Sequence, residues 1–295
     1  MAWFKRIAFF SLVNIAIMVM LSLVLNLLGI QPYLDANGVN YTSLMIFCLV
    51  WGTGGAFISL WMSKWMAKKF YRVQIIESGS RYDYLLQMVH NVSRAANLPK
   101  VPEFGIYDSQ DINAFATGPS KNNSLVAVST GLIERMDRAE QEGVIAHEIA
   151  HIANGDMVTM TLIQGVINAF VMFLARAVAS VIDNFLSNDE EGGGLGFFGY
   201  MATVFALDLL FGFLASFVTS YFSRWREYRA DAGSAQYVGR EKMVKALRAL
   251  ERDQQVVEQQ EQTPMAAFQI SSKSKMMELL SSHPPLSKRI AALTR

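Results

Sequence analysis

The chain has 295 residues, of which 52% are hydrophobic, and its mean hydropathy is +0.24. A composition this apolar excludes an ordinary soluble protein and indicates membrane-spanning segments. The formal net charge of +1 gives no sign of nucleic-acid binding, and the single cysteine, Cys48, excludes an intramolecular disulfide.

Four long apolar runs predict four transmembrane helices, at residues 7–30, 41–63, 157–182 and 195–223. Each run exceeds the ~20 residues needed to cross the hydrocarbon layer. The first two contain no charged residue, the third contains only Arg176 and the fourth only Asp208. The first run is too long for the apolar core of a signal peptide, and no small-x-small cleavage pattern follows it, so we expect it to remain as an anchor.

Basic residues near the ends of these runs predict their orientation, because Lys and Arg are retained on the cytoplasmic side. They precede the first run and follow the second and fourth: Lys5, Arg6, Lys64, Lys68, Lys69, Arg72, Arg224, Arg226 and Arg229. The loops at 31–40 and 183–194 contain acidic residues and no Lys or Arg. We therefore expect both termini and the middle segment on the cytoplasmic side.

Residues 64–156 have the pattern of part of a small α+β domain. The stretches "EFGIYDS", "NAFATG" and "SLVAVST" predict three short strands, and residues 82–96 predict a helix. Residues 224–295, with a short amphipathic helix at 241–251, are too few for an independent catalytic domain. We therefore expect one cytoplasmic domain in two parts, 64–156 and 224–295, with membrane hairpins at 1–63 and 157–223.

The stretch "HEIAH" forms an H-E-x-x-H motif on a predicted helix that begins with a capping box at Asp137 and ends at Gly155. His147 and His151, four residues apart, lie one above the other on such a helix, so their imidazoles can bind one metal ion. Glu148 lies beside that point and suits a general base for water polarised by Zn²⁺.

A catalytic zinc ion normally has three protein ligands plus water, so a third ligand is needed. Glu227, shortly after the fourth run, is the best candidate, and Asp231 on the same helix face could accept the second N–H of a ligating histidine. The alternative is a solvated helix with salt bridges to neighbouring arginines. Glu142 is out of phase with the motif face and Asp156 follows the helix end, so both are weaker candidates.

Together these motifs resemble the HtpX-type heat-shock membrane metalloproteases, zinc endopeptidases of the bacterial inner membrane. The resemblance covers essentially the whole chain, including "NAFATG", "AHEIAHIANGDM", "SRWREYRADAGSA" and "SHPPLSKRI". It implies a mainly α integral membrane protein with four transmembrane helices and a cytoplasmic α+β zincin-like catalytic domain of the gluzincin type, split by the second membrane hairpin. It also implies one Zn²⁺ per subunit, bound by His147, His151 and Glu227, with Glu148 activating water and Asp231 supporting a histidine.

The resemblance further implies a substrate-binding strand. In related zincins an extended segment before the metal helix pairs with the substrate backbone, and Asn113, Ala114, Phe115 and Ala116 match that position. Such pairing accepts any extended peptide and fits a broad choice of substrate. The alternative is a purely structural strand.

Other polar residues have weaker assignments. His283 is a candidate for stabilising an oxyanion, although a lone histidine beside two prolines more often makes local hydrogen bonds, and Arg224 or Arg289 could supply that positive charge instead or hold carboxylates in place. His90 lies far from every motif and is expected to have no role in the site. Arg176 and Asp208 either form an ion pair, or Arg176 extends alone towards the membrane surface.

The expected activity is peptide hydrolysis at the cytoplasmic membrane face, in quality control of misfolded or damaged membrane proteins under stress. Polypeptides and the lipid bilayer are the expected partners. Two alternatives are a processing protease for lipidated C-termini, against which the small number of runs argues, and a membrane scaffold with a structural zinc. Structural zinc sites are usually closed by four protein ligands.

Overall fold

The structure is a computed structural model that describes residues 41–187, 194–260 and 280–295. Within these residues the elements are α1 (Tyr41–Phe70), β1 (Gln74–Ile75), α2 (Asp83–Ala95), β2 (Glu103–Tyr107), β3 (Ala114–Ser120), β4 (Asn123–Ser129), α3 (Thr130–Arg135), α4 (Arg138–Asn154), α5 (Asp156–Ser187), α6 (Gly196–Val238), α7 (Arg240–Gln260) and α8 (Leu286–Thr294). They divide into two compact units. The described residues among Met1–Ser59 and Thr161–Thr219 form the first unit, and those among Leu60–Met160 and Ser220–Arg295 form the second unit.

Three of the described helices are long and apolar enough to cross a membrane: Ile46–Phe70, Asp156–Asp183 and Gly196–Val238. They overlap with the second, third and fourth apolar runs, whereas the first predicted run, 7–30, lies outside the described residues. Both α1 and α6 continue beyond the charged residues at which the sequence pattern ends a span. Lys, Arg and Glu are good helix formers, so a change from apolar to charged residues ends the membrane segment without ending the helix.

In the first unit, α1 and α5 approach each other closely through small residues. A Cβ atom added to Gly52 would lie 2.4 Å from the backbone nitrogen of Ala169, and one added to Gly165 would lie 3.2 Å from the Cα of Thr53. Small residues of this kind allow the backbones of membrane helices to pack directly against each other.

The two charged residues within the apolar runs also face each other in this unit. Nη1 of Arg176 lies 3.9 Å from Oδ2 of Asp208, and the same nitrogen donates to the carbonyl of Met172 at 3.0 Å. The sequence left open whether Arg176 pairs with Asp208 or extends alone towards the membrane surface. In the structure the two residues form an ion pair, at a long distance.

The second unit is built around a four-stranded sheet in the order β1-β2-β4-β3. Strands β2 and β4 are parallel, and the other pairs are antiparallel. The three predicted strands correspond to β2, β3 and β4, whereas the two-residue β1 is too short to give a sequence pattern. Strand β3, which contains most of "NAFATG", pairs with β4 alone among the described strands and forms one edge of this sheet.

Helices cover one face of the sheet, and the end of α1 covers the other. Alternate residues of β2 and β4, including Phe104 and Val126, are buried in one core with residues of α2 and α4. On the opposite face Lys64 donates to Glu103 at 2.8 Å and to Asn123 at 2.7 Å. The sheet is therefore held on both faces, and α4, which carries the H-E-x-x-H motif, lies directly against it.

Candidate metal centre

Helix α4 has the ends that the sequence predicts. The Asp137 side chain accepts from the backbone N–H of Glu140 at 2.8 Å, and the Glu140 side chain accepts from the N–H of Asp137 at 3.0 Å. The helix ends at Gly155, whose φ of 71° is the left-handed conformation that favours glycine. Between these caps most of the helix is buried, and this burial fixes the positions of the motif histidines.

The two motif histidines face each other on the buried helix. Their Nε2 atoms are 3.1 Å apart, and their rings are nearly perpendicular, with an interplanar angle of 86°. His147 is 7% exposed and His151 8%. Two ring nitrogens this close either share a proton or point their lone pairs at a common cation.

Glu227 completes this group from helix α6. Its Oε2 atom lies 3.4 Å from Nε2 of His147, and its Oε1 atom lies 3.4 Å from Nε2 of His151. Ligand atoms of the three residues all lie within 4.8 Å of one another. Glu227 and Asp231 are each 1% exposed, and this burial excludes the alternative of a solvated helix.

The spacing of these atoms fits a metal ion. Tetrahedral zinc with Zn–N distances of about 2.0–2.1 Å places its ligand atoms about 3.3 Å apart. The two Nε2 atoms are 3.1 Å apart, and each of them lies 3.4 Å from a different oxygen of Glu227. Oε2 of Glu227 is buried and has no hydrogen bond of acceptable geometry to any described residue, although Nδ1 of His283 is 2.9 Å away. Nε2 of His147 and Nη1 of Arg289 also lie 3.4 Å from this oxygen. These basic groups offset part of the cost of burying the carboxylate, and a bound cation would offset it further.

Each histidine has a carboxylate at its second ring nitrogen. Nδ1 of His147 lies 2.9 Å from Oδ1 of Asp231, as expected from the sequence. Nδ1 of His151 lies 2.6 Å from Oδ2 of Asp156, a contact that the sequence analysis missed because it weighed Asp156 only as a direct ligand. Glu142, the other alternative ligand, contacts Lys242 at 2.6 Å instead.

Arg289 from helix α8 binds the carboxylates of α6. Its Nε and Nη2 atoms donate to the two oxygens of Asp231 at 2.8 and 2.6 Å, and Nη1 lies 3.4 Å from Oε2 of Glu227. Burial disfavours the charge of Arg289, but the contacts with Asp231 outweigh it and raise the pKa of the guanidinium above its usual value. Of the two roles considered from sequence, this geometry fits holding carboxylates in place.

The same balance between burial and charged neighbours acts on His147. Burial favours the neutral ring, but contacts with Asp231 and Glu227 outweigh it and raise the pKa of His147 to about 9. The two carboxylates thus favour the protonated ring over the neutral one.

Residues 280–289 follow one face of α6 through a series of contacts. The hydroxyl of Ser220 donates to the carbonyl of Leu280 at 2.9 Å, and Nη1 of Arg224 donates to that of Ser281 at 3.0 Å. The contacts of His283 with Glu227 and of Arg289 with Asp231 continue this series. The four positions on α6 are three or four residues apart, so they lie on one face of the helix. That spacing of polar residues was the signal from which the sequence could have predicted this contact.

The remaining predicted residues occupy different places. Glu148 is half-buried on α4, next to His147. Asn113 is bound to Ser129 through its backbone N–H and carbonyl. His90 is exposed, and its Nδ1 lies 2.8 Å from the carbonyl of Leu86 in its own helix.

Three residues of the predicted substrate strand belong to β3, the edge strand. Ala114 and Ala116 pack towards the core that α4 shares with the sheet. Phe115 points to the other face, where its ring centroid lies 5.1 Å from that of Tyr71 and 5.5 Å from that of Tyr107.

Comparison with known proteins shows the family of this chain. Residues 80–295 match the model of peptidase family M48. The chain is 52% identical over 292 residues to Protease HtpX of Shewanella sp. (strain MR-4), covering 98% of this chain and 99% of that protein. It is 50% identical over 293 residues to Protease HtpX of Chromohalobacter salexigens, covering 98% and 97%. Its fold is similar to that of S. mikatae Ste24p, with a TM-score of 0.62 and 18% identity, covering 98% of this chain and 67% of that chain. The chain therefore belongs to peptidase family M48, and it is a membrane metalloprotease of the HtpX type.

Proposed function

We propose that the protein is a zinc endopeptidase whose metal is held by His147, His151 and Glu227. The observation that carries this proposal is the convergence of two imidazole nitrogens and one buried carboxylate, whose ligand atoms all lie within 4.8 Å of one another. Two imidazoles and one carboxylate are a typical ligand set of catalytic zinc, and three protein ligands leave a fourth position open. A structural site would be closed by a fourth protein ligand, and none belongs to this group in the described residues.

The residues around this position would have separate roles in peptide hydrolysis. When bound, zinc polarises the scissile carbonyl and makes a water molecule more acidic. Glu148 takes the proton of that water, which attacks the carbonyl carbon to form a tetrahedral intermediate. Glu148 then transfers the proton to the departing amine nitrogen, so no covalent bond to the enzyme is needed.

Strand β3 would hold the substrate backbone, because it is an edge strand and its neighbour α4 carries the metal ligands. An extended peptide can add to such an edge through backbone hydrogen bonds, which do not depend on its sequence. His283 would assist at the carbonyl: its side chain is 61% exposed and its Nδ1 is 2.9 Å from a ligand carboxylate, so it can reach both the site and a bound substrate.

We place this site on the cytoplasmic side of the bacterial inner membrane, with misfolded or damaged membrane proteins as its substrates under stress. Basic residues on the middle and return segments support this orientation. The second unit also exposes Trp61, Trp65 and Trp225, and tryptophan is enriched where a protein meets the membrane–water interface. Glu227 follows Trp225 by two residues, about 3 Å along the helix axis. Segments that emerge from the bilayer would therefore lie close to the metal.

Replacing Glu148 with Gln tests the assignment directly. The amide keeps the size of the side chain but cannot accept the proton, so we expect casein cleavage by the detergent-purified protein to fall by about 10²- to 10⁴-fold. Zinc content should remain that of the wild-type protein, because Glu148 is not a ligand. Glu142→Gln, on the same helix, is the matched control and should cleave normally. Undiminished cleavage by Glu148→Gln would exclude Glu148 as the general base.

A further inference from the structure

Asp156 lies at the junction of two helices beside the metal centre. It is the first residue of α5 and follows the left-handed Gly155 that ends α4. The residue is 2% exposed, and its Oδ2 atom lies 2.6 Å from Nδ1 of His151. Lys121 also holds this junction, because its ammonium group donates to the carbonyl of Ala153. The carboxylate is thus fixed against one motif histidine by the backbone that carries it.

The position of this carboxylate determines which nitrogen of His151 faces the metal position. Nε2 of His151 lies 3.1 Å from Nε2 of His147 and 3.4 Å from Oε1 of Glu227. An imidazole that offers its Nε2 lone pair to a cation carries its hydrogen on Nδ1. We propose that Asp156 is a positioning residue, whose carboxylate accepts the Nδ1 hydrogen of His151 and so presents the Nε2 lone pair of that ring to the metal ion.

Each of the two motif histidines then has its own carboxylate partner at Nδ1. Asp231 accepts from His147, and Arg289 holds Asp231 in turn. Asp156 does the same for His151 from another helix. A carboxylate at the outer nitrogen increases the basicity of a ligating imidazole and fixes its ring orientation, and loss of such a partner typically weakens metal binding by about 10- to 100-fold.

A purely structural role for Asp156 makes a different prediction. An acidic residue in the first turn of a helix is favourable through the helix dipole alone. If that were its role, a residue that starts helices well would replace it without effect on the metal. Serine is such a residue, but its hydroxyl is too short to reach the position of the Asp156 carboxylate.

The experiment measures zinc affinity by competition with a chelator, using the full-length protein in detergent. We expect the zinc dissociation constant to rise about 10- to 100-fold in Asp156→Ala and in Asp156→Ser, and less in Asp156→Asn, whose amide oxygen still accepts. The absorption bands of the Co²⁺-loaded protein should shift in the same order. Thermal unfolding without metal should differ little between Asp156→Ser and the wild type. Asp83→Ala is the control, since Asp83 is the first residue of α2 and binds Gly79 and Gln87 instead.

The inference rests on the metal site of the proposed function, and the two can fail separately. Wild-type affinity in Asp156→Ala, or restoration of affinity by Asp156→Ser, would overturn the role of Asp156 while leaving the metal site intact. A wild-type protein that binds no zinc would overturn both.

Discussion

The positive charge of Arg289 balances the negative charges of Glu227 and Asp231. Glu227 and Asp231 are both almost fully buried, and a buried carboxylate without a partner costs several kcal/mol. The planar guanidinium contacts both at once, which a lysine could not do in the same geometry. From sequence, Arg289 was one of two arginines with an undecided role, because nothing in "SHPPLSKRI" indicates which residue of α6 it meets.

The residues of the H-E-x-x-H motif were predictable for a simple reason. Helical geometry alone places His147 above His151, and Asp231 four residues after Glu227. The Asp156 contact was not predictable in this way, since it depends on how the chain turns at the left-handed Gly155. Fixed periodicity thus predicts contacts within a helix but not across its end.

Replacing His283 with Ala tests the weakest of the predicted roles. If His283 stabilises the oxyanion, we expect kcat for peptide cleavage to fall by about 10²-fold or more, with KM and zinc content nearly unchanged. His90→Ala removes an exposed histidine bound to its own helix and serves as the control. An unchanged kcat in His283→Ala would leave His283 with a local role in holding residues 280–289.

At the level of elements, the packing of α4 against α7 depends on one glycine. A Cβ atom at Gly143 would lie 2.6 Å from the carbonyl oxygen of Lys242 and 2.9 Å from the Cβ of Ala246, and Ser234 of α6 donates to the carbonyl of Gly143 at 3.0 Å. Three helices thus meet around this residue. Capping residues, amphipathic pattern and hydropathy predict that α4, α7 and α6 exist, but close approaches of this kind are set by tertiary packing and leave no periodic pattern in the sequence.

Gly143→Ala should therefore destabilise the second unit. The added methyl group must push α4 and α7 apart, and overpacking of this kind costs about 1–3 kcal/mol. Thermal unfolding in detergent should show a lower midpoint than for the wild type. Gly212→Ala makes the same chemical change in α6, where no other element among the described residues comes within 4 Å of the new Cβ, and should not lower the midpoint. Equal midpoints for Gly143→Ala and the wild type would show that the helices can adjust without cost.

For the whole molecule, the sequence predicted the membrane character well and the extent of the helices poorly. Apolar composition and run length are sufficient to identify the helices that contain the second, third and fourth runs. They do not show that α6 continues as one helix from Gly196 to Val238, so that Glu227, the proposed third ligand, lies on the extension of an apolar run. The apolar segment and Glu227 therefore belong to one continuous helix.

The central claim is that two imidazoles of α4 and one carboxylate of α6 hold a single metal ion. Its most direct measurement is the zinc content of purified protein by elemental mass spectrometry, for the wild type, Glu227→Gln and the control Glu142→Gln. We predict about one zinc per chain in the wild type and in Glu142→Gln, and a large loss in Glu227→Gln, because two remaining ligands bind zinc weakly. Thermal unfolding of each variant would show that it is folded. A folded Glu227→Gln protein with full zinc content would contradict the claim.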